Sequence, residues 1–203
     1  MEGLSALGAL VRRRDPDRFL TALFAPAGKR EALFGLYALH HELVRAVAGR
    51  REAVMGLVRL QWWHEVVEGA PRRHEVATPL AGLLEAGALG RAGLLRLIER
   101  FEAEDWVAGT AGEVAVLAGE ALGADAGELD RLRDLGAAYG LVRAGRGAEA
   151  GALFAGAEGR FSRGVIAAAL VGVLARRDLR RGYVVRGVGD RLAVAWAAWR
   201  GQV

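Results

Sequence analysis

The fold is decided by the stretch from Val58 to Gly69, which reads V-R-L-Q-W-W-H-E-V-V-E-G. Trp62 extends the apolar row of Val54, Leu57 and Val58, which has the i, i+3, i+4 spacing of a buried helix face. We therefore expect Trp62 to lie in the core. Adjacent residues on a helix differ by about 100° of rotation, so Trp63 must pack on a flank against a second element. The stretch therefore predicts a wide, mostly buried helix at the centre of the fold.

The rest of the chain is punctuated by glycine and lacks the alternation of β-branched residues that is typical of strands. Asp15-Pro16 supplies an N-cap followed by proline at the first helical position, after a first helix that ends near Arg14. Gly109-Thr-Ala-Gly112 opens a helix of small residues that lets its neighbours approach closely. We predict an all-α fold of about eight helices around one core, forming a single domain over residues 1–203.

Composition excludes several classes of protein and site. Hydrophobic residues make up 53% of the chain and charged residues 26%, which is a globular balance and not a disordered one. Cysteine is absent, which excludes disulfides, thiolate zinc sites and a cysteine nucleophile. No window of about eighteen residues is free of charge or glycine, so we expect no transmembrane helix. The start lacks a basic segment followed by an apolar run, so we expect no signal peptide.

Several segments resemble the squalene/phytoene synthase family, the head-to-head trans-isoprenyl diphosphate synthases. The string R-L-Q-W-W-x-E from Arg59 is similar to a central helix of that family. The segment D-P-D-R-F-L-T-A-L-F-A-P from Asp15 is similar to its D-x-D-R-Y-L-x-x-L-F-A-P opening. Further likeness lies in A-L-F-G-L-Y-A-L-H-H-E from Ala32 and in L-R-D-L-G-A-A-Y-G-L-V-R from Leu132. The resemblance implies an isoprenoid-synthase-like helical bundle, shortened in this chain.

The two aspartate-rich motifs of that family are missing. The family holds Mg²⁺ between carboxylates on facing helices, and the metal neutralises two diphosphates. The positions that the resemblance assigns to aspartates are Val44, Arg45, Ala48, Ala144 and Ala148, with Glu149 one place late. No aspartate occurs between Asp17 and Asp105 or between Asp134 and Asp178, so a shifted alignment restores neither motif. We therefore predict no catalytic, cofactor-binding or metal-ligating residue.

A helical body without its metal ligands can still hold an apolar chain, because ligand pockets are mostly hydrophobic with a few polar anchors. We expect the pocket to be lined by Tyr37, His41, Gln61, Trp62 and Tyr139, with Arg59 and Arg143 as contacts for an anion. The alternative is that small side chains let the helices collapse and close the cavity.

The leading interpretation is a catalytically degenerate member of the family with a binding or assembly role, holding an apolar or isoprenoid ligand. It most resembles the branch that contains the complex I assembly factors and their bacterial relatives. The rival is an active prenyl transferase that binds Mg²⁺ through nonstandard acidic residues, namely Glu42, Glu65, Glu102 or Glu104. A third hypothesis is a structural helical module that binds lipid only. Only the rival requires a cofactor.

The arginines near the C-terminus bear on location and partners. The net charge is +4, and an arginine cluster precedes Trp196 and Trp199; its members are Arg176, Arg177, Arg180, Arg181 and Arg186. Basic residues with tryptophan are typical of an anionic membrane surface. The alternative is that the arginines are merely solvated and both tryptophans fill the core. We expect a cytoplasmic protein peripheral at the inner membrane face, with a lipid or isoprenoid ligand, a protein partner and no nucleic acid.

Overall fold

A computed structural model describes residues 3–48 and 53–203. The chain is 74% helical, and these ranges contain no strand, which confirms the all-α fold. There are twelve α-helices in them, more than the eight expected, because several are short. They are α1 Ala6–Arg14, α2 Pro16–Ala22, α3 Arg30–Val47, α4 Ala53–Glu68, α5 Ala77–Glu85, α6 Arg91–Glu99, α7 Trp106–Leu122, α8 Ala126–Arg143, α9 Gly147–Gly156, α10 Ile166–Ala169, α11 Val171–Arg181 and α12 Val188–Arg200.

The junction between α1 and α2 is built as the sequence predicts. The side chain of Asp15 accepts a hydrogen bond from the backbone N–H of Arg18 at 3.0 Å. Pro16 occupies the first turn of α2, where its missing N–H would have had no helical partner. The chain therefore turns sharply after Arg14 and places the start of α2 beside the middle of the bundle.

The central element is α3, which packs against α1, α2, α4, α5 and α7. Leu33, Leu36, Leu39 and Leu43 have no exposed surface, and Tyr37 is 3% exposed. The expectation that the R-L-Q-W-W helix would be central is wrong, since that helix, α4, keeps one side in solvent.

The core face of α4 is displaced by one residue from the expected one. Trp63 is buried at 4% exposure, together with Leu60 and Val67, whereas Trp62 is only half-buried. The expected apolar row is exposed: Val54 at 72% and Leu57 and Val58 at 54% each. Both sides of this helix carry an apolar row, so periodicity alone could not tell which one faces inward.

The close approach of α7 and α8 depends on glycine, as the small residues predict. A Cβ atom on Gly136 would lie 2.5 Å from the carbonyl oxygen of Ala111. A Cβ atom on Gly112 would lie 3.0 Å from the carbonyl oxygen of Arg133. Any side chain at Gly136 would therefore force the two backbones apart. The pair forms one wall of the cavity described below.

The C-terminal helices close the bundle. Asp190 accepts a hydrogen bond from the backbone N–H of Gly187 at 3.0 Å and from Nε of Arg177 at 2.9 Å, which fixes the start of α12 against α11. The buried apolar side chains form one continuous core from Leu7 on α1 to Ala197 on α12. Within residues 3–48 and 53–203, no helix is long and apolar enough to cross a membrane.

Candidate ligand-binding site

A cavity of about 300 Å³ lies where the start of α2 meets α3, α7 and α8. We call it the central cavity. Its apolar lining comes from Val44, Trp106, Val107 and Ala111, and its polar lining includes Arg14, Arg18, His40, His41, Tyr139 and Arg143. This volume is at the lower end of the range of small-molecule pockets, which begins at about 300 Å³.

Two of the five positions that the family resemblance assigns to aspartates line this cavity. Val44 on α3 and Ala144 at the end of α8 both line it. Glu149 does not: it is exposed and bonds Arg146, whose hydrogen bond holds the pKa of that carboxyl below its usual value. The cavity therefore has an apolar side chain, on α3 and at the end of α8, at two positions where the resemblance places carboxylates.

The carboxylates that do line the cavity do not fit a Mg²⁺ cluster. Asp15 caps α2 and bonds the guanidinium of Arg18 at 3.4 Å, while Asp17 is bonded by Arg186. Magnesium needs several free oxygen ligands at short distance. Here the two carboxylates already neutralise arginines, so we derive no step through a metal.

Asp17 belongs to a buried ion cluster that joins the two ends of the chain. Nε and Nη2 of Arg186 donate to Asp17 at 2.7 and 2.6 Å, and the same guanidinium donates to Asp178 on α11 at 2.6 Å. All three side chains are at most 7% exposed. Burial opposes the charge on Arg186, but the hydrogen bonds to both aspartates outweigh it and raise its pKa. The cluster ties α2 to α11 and to the loop before α12.

Imidazole and tyrosine groups lie in the cavity lining and directly beneath it. Nδ1 of His40 lies 2.9 Å from Nη1 of Arg18, an arrangement that requires the neutral imidazole to accept. Burial, together with Arg18, lowers the pKa of His40 well below its usual value. Burial raises the pKa of Tyr37 to about 12 and that of Tyr139 well above its usual value. At neutral pH the tyrosines and His40 are therefore uncharged, and the arginines carry the positive charge.

The structure does not bring the seven expected pocket residues together. His41, Tyr139 and Arg143 line the central cavity, and Tyr37 is buried beneath Arg18, whose guanidinium lies 5.4 Å from the Tyr37 ring. The three residues on α4 lie elsewhere, since its core face is displaced. Arg59 and Trp62 line a separate depression with Trp63 and His74, and Gln61 is exposed on the outer surface.

Sequence reasoning missed Arg14 and Arg18, which supply positive charge at the cavity. Arg18 is part of the D-x-D-R motif at the start of α2, so this motif is the sequence signal that indicates it. Both interpretations of the C-terminal arginine cluster expect Arg186 to be exposed, and that expectation is wrong because its side chain is 7% exposed. Its contact with Asp17 spans 169 residues of sequence, so local patterns could not reveal it.

The acidic residues of the rival hypothesis do not meet at one site, and Glu42 alone among them is buried. Glu42 bonds Arg45 at 2.9 Å, and Glu65 bonds Arg72 at 2.7 Å. Glu102 and Glu104 are exposed. In the part of the chain that the structure describes, no group of three or more histidine, aspartate or glutamate residues could hold a metal ion.

The comparison with protein-family models decides the family. The squalene/phytoene synthase model matches residues 11–149, which include α2, α3, α7 and α8, the helices around the cavity. The chain belongs to the squalene/phytoene synthase family. This membership confirms the resemblance that the sequence motifs indicated.

One curated relative of this family member is human "NADH dehydrogenase (ubiquinone) complex I, assembly factor 6". The two are 28% identical over 97 residues, which is 46% of this chain and 29% of the human protein. The chain therefore spans less than a third of that relative's length. No solved structure matches the chain significantly.

Proposed function

We propose that this squalene/phytoene synthase family member is catalytically degenerate and has a binding or assembly role. In this proposal it holds one apolar or isoprenoid ligand in the central cavity and does not condense prenyl diphosphates. The role in assembly is supported by the likeness to a human complex I assembly factor, which covers only part of both chains.

The observation that carries the proposal is the division of the cavity lining. The apolar part of the lining is formed by Val44, Trp106 and Val107, while Arg14 and Arg143 supply positive charge without a bonded carboxylate in the described ranges. The guanidinium of Arg143 is held over the ring of Tyr183, 3.8 Å from its centroid. A ligand with an apolar chain and an anionic head fits both parts, because unpaired arginines bind phosphate oxygens directly.

Loss of catalysis follows from the same lining. Departure of diphosphate develops negative charge, and removing one preorganised stabiliser of such charge typically costs about 10²–10³ in rate. Both carboxylate sets are replaced at the cavity by Val44 and Ala144, and Asp15 and Asp17 are engaged by arginines. In this proposal the arginines bind the head without promoting its departure.

We also propose that the protein is peripheral at the inner face of a membrane. Trp196 and Trp199 are 57% and 77% exposed, so the alternative that they fill the core is wrong. Exposed tryptophan is favoured at the level of lipid head groups.

The test is a binding and turnover assay with purified protein. We expect farnesyl diphosphate to bind without Mg²⁺, and we expect no release of diphosphate when Mg²⁺ and NADPH are added. Val44→Phe fills the cavity and should weaken binding at least about tenfold, since ligands lose the volume they occupy. Mg²⁺-dependent release of diphosphate with a condensed product would overturn the proposal and establish the rival.

Arg143→Gln provides a sharper arm of the same assay. It should weaken binding of farnesyl diphosphate and leave binding of uncharged farnesol unchanged, because only the diphosphate uses the guanidinium. Arg73→Gln is the matched control, since Arg73 is exposed and lies away from the cavity. Equal binding by wild type and Val44→Phe would remove the cavity as the ligand site.

A further inference from the structure

Helix α12 exposes a row of large apolar side chains to solvent. Val188, Leu192, Trp196 and Trp199 are 57–77% exposed and recur at i, i+4, i+8 and i+11, which places them on one face. We call this face the outer row. The opposite face is anchored by buried Asp190, Val194 and Ala197. Large exposed apolar patches on a folded chain mark sites of interaction.

A groove of about 480 Å³ lies beside the outer row, between α11 and α12. We call it the C-terminal groove. Four arginines line it, and the one acidic side chain among the described lining residues is Glu158; the arginines are Arg176, Arg177, Arg180 and Arg200. Apolar atoms of Val173, Ala193 and Ala197 contribute to the lining. The groove thus combines an excess of positive charge with an apolar floor.

The arginines of the groove are not all used by the fold. Arg177 bonds Asp190 at 2.9 Å, and the same carboxylate also pairs with Arg181. Arg176 donates Nη2 to the carbonyl oxygen of Phe154 at 3.1 Å, but its buried Nε has no partner in the described part of the chain. Arg180 has neither an ion pair nor a hydrogen bond to any described side chain, and Arg200 bonds only the amide oxygen of Gln202. Positive charge therefore remains for an external anion.

Trp196 belongs to both features, since it lies in the outer row and lines the groove. Its ring is tilted by 31° to that of Trp199 with the centroids 5.1 Å apart, and the guanidinium of Arg200 lies 6.0 Å from its centroid. The apolar row and the unused arginines therefore share one surface. A phospholipid interface offers the complementary arrangement, with apolar chains beside anionic phosphates.

We infer that α12 and the C-terminal groove form the docking surface for a bilayer that contains anionic phospholipid. The outer row enters the interface, and Arg180 and Arg200 bind lipid phosphates at the groove. This inference rests on the peripheral location proposed above and specifies the surface and the lipid charge that produce it. An anionic lipid is favoured over single-stranded nucleic acid, because Val188 and Leu192 offer no ring on which a base can stack.

The test is sedimentation of the full chain with vesicles of phosphatidylcholine alone and with added phosphatidylglycerol. We expect binding to the anionic vesicles only, weakened by raised salt. Arg180→Gln with Arg200→Gln should weaken partitioning about 25-fold, because each basic residue near an anionic surface contributes about fivefold. Trp196→Ala with Trp199→Ala should weaken it by on the order of tenfold or more, since apolar contact is lost.

Two control pairs match these changes on α4 and the loop after it. Arg59→Gln with Arg73→Gln removes the same charge from exposed positions. Leu57→Ala with Val58→Ala removes apolar side chains that are each 54% exposed. Both control proteins should sediment like wild type. Circular dichroism of every variant should be unchanged, since the substituted side chains are exposed.

Each other outcome has a distinct meaning. If the α12 variants bind anionic vesicles as well as wild type does, the proposed docking surface is overturned, but the peripheral location is not. Absence of vesicle binding by wild type overturns both. If wild type is a dimer and Trp196→Ala with Trp199→Ala makes it a monomer, the surface binds a second copy of the chain and the inference is overturned. Salt-sensitive binding of single-stranded DNA without vesicle binding would also assign the surface to another partner and overturn the inference. The α12 variants should still bind farnesyl diphosphate, so a failure here is separable from a failure at the central cavity.

Discussion

The central cavity and the C-terminal groove are both lined by arginine, but they differ in what the arginines already bind. At the cavity, Asp15 pairs with Arg18 and Asp17 with the neighbouring Arg186, while Arg14 and Arg143 have no bonded carboxylate in the described ranges. At the groove, Asp190 pairs with Arg177 and with Arg181, while Arg180 has no bonded partner in residues 3–48 and 53–203. A lining of arginines therefore indicates a binding site for an anion only where the fold leaves some of those arginines without a bonded carboxylate.

The largest expected effect comes from Arg186→Met, which breaks the pairing beside the cavity. It leaves Asp17 and Asp178 buried without a counter-ion, and loss of one partner of a buried ion pair typically costs about 3–5 kcal/mol. The measurement is urea unfolding followed by circular dichroism. Arg180→Met is the matched variant from the groove, and it should change the free energy of unfolding by less than about 0.5 kcal/mol. Similar losses in the two variants would erase the difference between the regions.

A second prediction extends the comparison to tryptophan. Trp63 is 4% exposed and contacts the rings of Trp62 and His74, so Trp63→Ala should cost roughly 3–5 kcal/mol in the free energy of unfolding. Trp196→Ala should cost less than about 0.5 kcal/mol, since the groove tryptophan is 57% exposed. Trp62→Ala should lie between them. Thermal melts of the three variants check the order; a larger loss for Trp62→Ala than for Trp63→Ala would show that the described face of α4 is wrong.

The smallest expected effect is a pH dependence that only the cavity side shows. The pKa of His40 is lowered by burial and by Arg18, so below about pH 6.5 the unfolded chain takes up a proton that the folded chain refuses. The free energy of unfolding should therefore fall as pH drops from 7 to 5.5, by at most about 1.4 kcal/mol per pH unit for this group.

His40→Gln keeps an acceptor for Arg18 and removes the titration. Its free energy of unfolding should fall less steeply between pH 7 and 5.5 than that of wild type, measured by urea unfolding at both pH values. His41, whose pKa burial also lowers, contributes to the remaining slope. An unchanged slope in His40→Gln would mean that this ring is not the buried neutral group that the cavity requires. The groove contains no histidine among its described lining residues, so vesicle binding of this variant should match wild type.

The residue pattern was sufficient for the features that depend on local chemistry. The all-α class followed from helical periodicity, the start of α2 from Asp15 and Pro16, and the close contact of α7 and α8 from their glycines. The family followed from short motifs and is confirmed by the match over residues 11–149. Three of the expected pocket residues, His41, Tyr139 and Arg143, line one cavity. Each of these depends on residues close in sequence or on a motif read directly.

Tertiary structure alone decided which of two apolar rows on α4 faces the core, since the choice depends on what packs against it. It also decided that Arg186 is buried while Arg180 is exposed, because Asp17 meets Arg186 across 169 residues of chain. The exposure of Trp196 and Trp199 has the same origin: Asp190 fixes α12 on α11 with its apolar row outward. Sequence by itself determined which side chains were available, and long-range packing determined which of them were used by the fold and which remained for a ligand.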